Sequence, residues 1–135
     1  MAFGNLKFDT LTTSDSKNTN TEKSLDTSYV FNGSAKAWVI FDGTAGSIAN
    51  ADNFNSSGLT DHGTGNYTAS WTNSMSSTNY SVSGIGGDNS VTTPIGMYSH
   101  NSTPSTDSFK VICTNASGSA TDHKYVSILA HGDVT

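Results

Sequence analysis

The chain of 135 residues contains no arginine, no glutamine, one cysteine, one glutamate and two prolines. Each shortage excludes something. Without arginine there is no guanidinium for bidentate phosphate contacts, and six lysines against 11 acidic residues, a net charge of −5, assemble no basic patch. Nucleic acid is therefore not an expected partner. The lone thiol, Cys113, can form neither an internal disulfide nor a thiolate zinc cluster. Its setting, "FKVIC", is that of a buried strand residue, whereas a reactive thiol needs a nearby base and partial exposure. Glu22 being the sole glutamate, a glycosidase acid pair would have to be two aspartates, and no two stand out.

Long apolar runs are missing too. No window approaches the roughly 18 apolar residues that span a bilayer, and the start "MAFGNLKFDT" lacks the basic region and apolar run of a signal peptide. The expectation is a chain made and kept in a cytoplasm, with no membrane partner. Only 13% of residues are charged, so Ser, Thr and Asn carry the solubility, and only 33% are hydrophobic. A core drawn from so few residues is either small or completed by neighbouring subunits. At 14.1 kDa the chain suits a single fold.

No window of ten or more residues repeats apolar positions at three and four, while β-branched residues are plentiful, so the expected class is all-β. Residues 1–33 hold isolated apolar anchors, Phe3, Leu6, Phe8 and Leu11, followed by a polar run, and read as an extended N-terminal docking arm. Residues 34–135 read as a head of short strands between turns. Candidate strands are 35–41, 47–54, the run "NYTASW" (66–71), 78–85, 93–100, 107–115 and 123–131. Strands so short, with turn signals between them, match an antiparallel β-sandwich, jelly-roll-like, better than a closed barrel. In "NYTASW" the residues Tyr67, Ala69 and Trp71 share one face. "NYSVSGI" alternates in the same way, and the two runs are expected to pair as a meander through "TNSMSST". "AKAWVIF" and "HKYVSILAH" carry apolar residues on both faces, which predicts strands covered on both sides, by a second sheet or by another subunit. Trp38 and Trp71 are read as core anchors in preference to an exposed sugar-stacking platform with Tyr67 and Tyr98.

The stretch "LTDHGTGNYTASW" (59–71) tests whether a site is present. Its glycines at 63 and 65 lack the third glycine, the following Lys-Ser/Thr and the following helix of a phosphate-binding loop. Asp61, His62 and Asn66 offer only one carboxylate, too few for calcium. A tight bend is the reading that fits Asp, Asn and Gly. Its tip, Asp61, His62 and Asn66, is the candidate contact for a glycan or a partner. The histidines at 62, 100, 123 and 131 have no metal-ligand spacing, and no Gly-x-Ser-x-Gly elbow occurs. No metal, cofactor or catalytic residue is expected, and the chain is read as non-enzymatic. Six Asn-x-Ser/Thr sequons, at Asn32, Asn55, Asn66, Asn79, Asn101 and Asn115, follow from composition and say little about secretion.

Residues 35–84 resemble a module of tail-fibre-like and other virion proteins of bacteriophages, particularly marine and cyanobacterial ones. In that module an "AKAWVxFxGT" strand precedes "xFNVSSLTDNGTGxYTxxFTxxMxxxNY". The matching residues are Ala35, Lys36, Ala37, Trp38, Val39, Phe41, Gly43 and Thr44, then Phe54, Asn55, Leu59, Thr60, Asp61, Gly63, Thr64, Gly65, Tyr67, Thr68, Met75, Asn79 and Tyr80. His62 and Trp71 depart from the pattern. "MAFGNLKFDTLTTSDSKN" is similar to the start of such proteins, an attachment segment. The resemblance implies a virion structural protein, assembled in the bacterial cytoplasm and displayed on the particle, commonly as a homotrimer. It implies contacts with other capsid or tail proteins. With an arm and a head but neither heptads nor β-helix repeats for a shaft, a capsid decoration, knob or spike is favoured. The alternative is a short tail fibre or receptor-binding head that attaches to the host surface, through glycans in one version.

Overall fold

A computed structural model describes residues 10–13, 23–88, 96–99 and 105–135, and the chain divides into two compact units, Met1–Ser34 and Ala35–Thr135. Among the described residues no helix is long and apolar enough to cross a membrane. In the first unit, β1 (Thr10–Thr13) pairs antiparallel with β2 (Lys23–Asp26), which sets Leu11 opposite Leu25. Phe3, Leu6 and Phe8 of the expected arm lie outside the described residues. The segment after β2 is a short helix, α1 (Thr27–Gly33), seven residues long and so too short for the periodic pattern to register. Both the amide and the hydroxyl of Ser34 donate to the Val30 carbonyl that the helix end leaves without a partner.

The second unit is an all-β sandwich of two four-stranded antiparallel sheets. The first sheet runs β4 (Asn50–Phe54), β3 (Ala37–Phe41), β10 (Tyr125–His131), β7 (Ser81–Gly87). The second runs β5 (Ser56–Asp61), β6 (Asn66–Trp71), β9 (Ser108–Thr114), β8 (Gly96–Ser99). Alternation supplies the core. Ala37, Val39 and Phe41 from β3 and Val126, Ile128 and Ala130 from β10 face Tyr67, Ala69 and Trp71 from β6 and Val111 and Cys113 from β9. The Phe41 and Tyr67 rings meet edge to face across the sheets, centroids 5.0 Å apart.

"SSGLTD", which is not among the candidate strands, forms strand β5, which takes one edge of β6 while β9 takes the other. No edge of β6 is left for β7, so the expected meander does not form. Instead β7 pairs with β10 in the opposite sheet, and residues 72–80 carry the chain across the sandwich. That crossing is pinned by the buried Met75, whose amide donates to Thr106 O and which bridges to Val134. The second sheet covers only the inner face of β3 and β10: on the outer face Ile40 and Tyr125 are exposed, and Trp38 and Leu129 are half-buried. Trp71 is a core anchor as expected, but Trp38 is not, because the pleat turns it away from the second sheet.

Asn55 alone links β4 to β5 and so carries the chain from the first sheet to the second, with a left-handed φ of 55°. Its side chain donates to the carbonyls of Lys36 (3.0 Å) and Asn73 (3.1 Å) and accepts from the Asn73 amide (2.7 Å).

Candidate functional site

One end of the sandwich gathers the β5–β6 turn, the loop after β3, the end of β7 and the loop between β9 and β10. The turn forms from its own residues. Asp61 Oδ1 accepts the Gly63 amide at 2.8 Å, the Asn66 amide donates to Gly63 O at 2.9 Å, and the His62 amide donates to Asn66 O at 2.9 Å. Gly63 (φ 107°) and Gly65 (φ 66°) take backbone conformations that side chains disfavour, which is why both are glycine. The bend expected from the sequence is therefore present.

The three tip residues do not converge. The Asp61 carboxylate turns back on the Gly63 amide, and His62 Nε2 lies 2.9 Å from the Thr68 hydroxyl. Both residues are exposed. Asn66 is half-buried, and its Oδ1 is enclosed without a hydrogen-bond partner. Among the described residues no group of three or more His, Cys, Asp or Glu is arranged to hold a metal ion.

Behind the tip lies a polar network that the sequence did not reveal. Asp122 Oδ1 accepts the Gly65 amide at 2.6 Å and the Tyr67 hydroxyl at 2.6 Å, and the same hydroxyl lies 3.1 Å from Gly43 O. Burial first, then the hydrogen bond to Asp122 and its charge, push the Tyr67 phenol well above its ordinary value. The Gly43 amide donates to His123 O at 2.9 Å, and a Cβ at residue 43 would lie 2.6 Å from the Tyr67 hydroxyl oxygen. Next to Gly43, Asp42 Oδ1 accepts the Thr44 hydroxyl (2.6 Å) and amide (2.9 Å), bonds that hold its carboxyl below the usual range.

His123 is buried, with Nδ1 3.2 Å from Asp88 Oδ2 and Nε2 3.3 Å from Thr114 O, so each ring nitrogen faces an oxygen that can only accept. Asp88 Oδ1 also takes the Lys124 amide at 2.6 Å. That backbone bond is the largest cause and outweighs desolvation, and with the lesser hydrogen bond and charge of His123 it lowers the Asp88 carboxyl. Cys113 is buried beside this network, and desolvation followed by the Asp122 charge pushes its thiol up to about 11. Such a thiol is neutral at pH 7 and not an activated nucleophile. Chemically, the network ties four chain segments together by hydrogen bonds between residues as far apart in the chain as Gly43 and His123.

These shifts set a pH profile. The raised Cys113 and Tyr67 values mean that the unfolded chain ionises first on the alkaline side, so stability falls as pH rises from 9.0 towards 11, with Tyr67 adding to the loss above pH 10.0. Asp88, lowered from 3.8, contributes stability that is present above that pH and lost as pH falls through its folded value. Urea midpoints measured from pH 3 to 11 are expected to decline at both ends. Cys113→Ala should flatten the alkaline limb and Asp88→Asn the acid one, and limbs unchanged in these variants would refute the assignment.

The roles of Asp122, Asp88 and Gly43 were missed because their settings, "TDHK", "GGDN" and "FDGT", are ordinary turn chemistry, and His123 was weighed only as a metal ligand. Set against family models, curated proteins and solved structures, the chain matches none of them.

Proposed function

We propose that this chain is a non-enzymatic structural protein of a bacteriophage virion, displayed on the particle as a capsid decoration, knob or spike and held by its N-terminal segment, residues 1–33. The observation that carries this reading is the resemblance of residues 35–84, with its "AKAW" strand and "LTDHGTG" bend. The resemblance brings with it a homotrimer, contacts with other capsid or tail proteins, and assembly in the bacterial cytoplasm. The loop end is consistent with such a role, since Tyr67, Asp122, His123 and Asp88 are engaged in tying loops together.

A receptor-binding head is the second reading, favoured by one observation: Asp61, His62, Gly63 and Thr64 project exposed from the end of the sandwich. Immunogold labelling of intact particles with antibody to this chain tests both readings. Label distributed over the head supports decoration, and label confined to the tail tip supports the receptor-binding reading. Particles that carry the protein nowhere on their surface would end both.

A further inference from the structure

The two outer faces of the sandwich differ in kind. On the second sheet, cross-strand rows read Gly58, Ser70, Ser108, then Thr60, Thr68, Lys110, and only the next row, with Asn66 and the half-buried Ile112, brings in a large apolar residue, so this face is the more polar of the two. On the first sheet the register sets Phe54, Trp38, Leu129 and Ser83 in one row and Asp52, Ile40, Ser127 and Ile85 in the next. Phe54 is 54% exposed, Ile40 41% and Ile85 74%, with Trp38 and Leu129 half-buried between them. A chain with only 33% hydrophobic residues thus leaves five large apolar side chains on one face of one sheet. In water that arrangement is unfavourable unless something covers it.

We infer that the outer face of the β4-β3-β10-β7 sheet packs against the same face of other copies of this chain about a symmetry axis. This rests on the self-association in the preceding section and supplies its surface. Charge favours a copy of the chain over a charged partner. At a symmetry axis each side chain meets its own copies, so any charge there would face a like charge. In the two central rows Asp52 is the one charged residue, and it sits on edge strand β4, away from the middle of the face. A partner selected by opposite charge would find no counter-set.

Shape agrees with this. Ser127 is a hollow between Ile40 and Ile85, and Ser83 a step down beside Leu129, so ridges and hollows alternate across the sheet and can accept the ridges of an identical face. Size sets the strength. Four strands about 4.8 Å apart and about five residues long have a footprint of roughly 300 Å². That is below the ~800 Å² per partner of a standard interface, so association between two copies is weak and is strengthened where several copies close a ring.

The test is the mass of the full chain by light scattering from about 1 to 100 µM, for the native sequence, for Ile85→Lys, for Phe54→Lys and for Thr60→Lys on the opposite sheet. The native chain and Thr60→Lys are expected at a multiple of 14.1 kDa in the upper part of that range. Ile85→Lys and Phe54→Lys are expected to associate at least about 30-fold more weakly while keeping the native circular dichroism, since both side chains are exposed in the single chain. A dimer that these variants dissolve would support the surface and refute the trimer. A monomeric native chain would refute both, whether residues 1–34 or another protein covers the face. An oligomer indifferent to both variants would overturn the surface alone, and particle labelling stands independently of each result.

Discussion

Replacing Gly65 with alanine is expected to cost on the order of 4 kcal/mol or more, a large share of the about 5–15 kcal/mol that holds a typical domain folded. The backbone at 65 has φ 66°, a left-handed conformation that costs an alanine about 1–2 kcal/mol. The added Cβ would then lie 2.5 Å from Cys113 O and 2.6 Å from the Thr121 nitrogen, and neither neighbour is a side chain that can swing aside. Both backbones are already committed: the Cys113 amide donates to Gly65 O at 2.7 Å, and the Thr121 amide donates to Cys113 O at 2.9 Å. Relieving the clash means breaking this pair, together with the 2.6 Å bond from the Gly65 amide to Asp122. Gly63, two residues away, is the internal control. It also has a positive φ, 107°, but nothing lies within 4 Å of its would-be Cβ, so Gly63→Ala should cost only the backbone strain, about 1–2 kcal/mol. Urea denaturation of the two variants side by side decides the matter. Equal losses would mean that packing behind the turn is not what holds Gly65.

Asn55→Ala is the second substitution expected to do large damage, about 3 kcal/mol. Asn55 is the sole connection between β4 and β5, and asparagine is the non-glycine residue that best tolerates its φ of 55°. Its amide also bonds the corner to two distant segments, through the carbonyls of Lys36 and Asn73 and through the Asn73 amide and side chain. Alanine loses these bonds, each worth about 0.5–1.5 kcal/mol, and keeps the strained φ. Glycine relieves the backbone but restores no bond, so Asn55→Gly should fall between the native protein and Asn55→Ala. Asn55→Asp keeps the acceptor for the Asn73 amide but sets a carboxylate against two carbonyl oxygens, and its defect should shrink when the pH is lowered enough to protonate it. If Asn55→Gly proves as stable as the native protein, the side-chain bonds contribute nothing and the corner is only a matter of φ.

The strands and the bend were legible in the sequence to very different depths. Period-two alternation named Tyr67, Ala69 and Trp71 as one inward face, and those residues are buried. The pairing of "NYTASW" with "NYSVSGI" failed because alternation tells which side of a strand is wet, not which sheet the strand joins. Sheet membership depended on β5, a stretch with Leu59 as its one large apolar residue, occupying the edge that β7 was expected to take. The loop-end network was illegible for a related reason. Tyr67 and Asp122 are 55 residues apart, and each is unremarkable where it stands in the chain.

What the sequence by itself determined is the all-β class, the inward face of β6, and a two-glycine bend after Asp61, because these follow from side-chain period and backbone freedom within a few residues. Only the tertiary structure decided that the second glycine is closed against the backbone of Cys113 and Thr121 while the first stands open. It also decided that Trp38 looks outward while Trp71 looks in, and that one sheet face of this polar chain gathers Phe54, Ile40 and Ile85 as exposed apolar side chains. Those outcomes depend on which long-range edges and carbonyls meet, and no local spacing encodes that meeting.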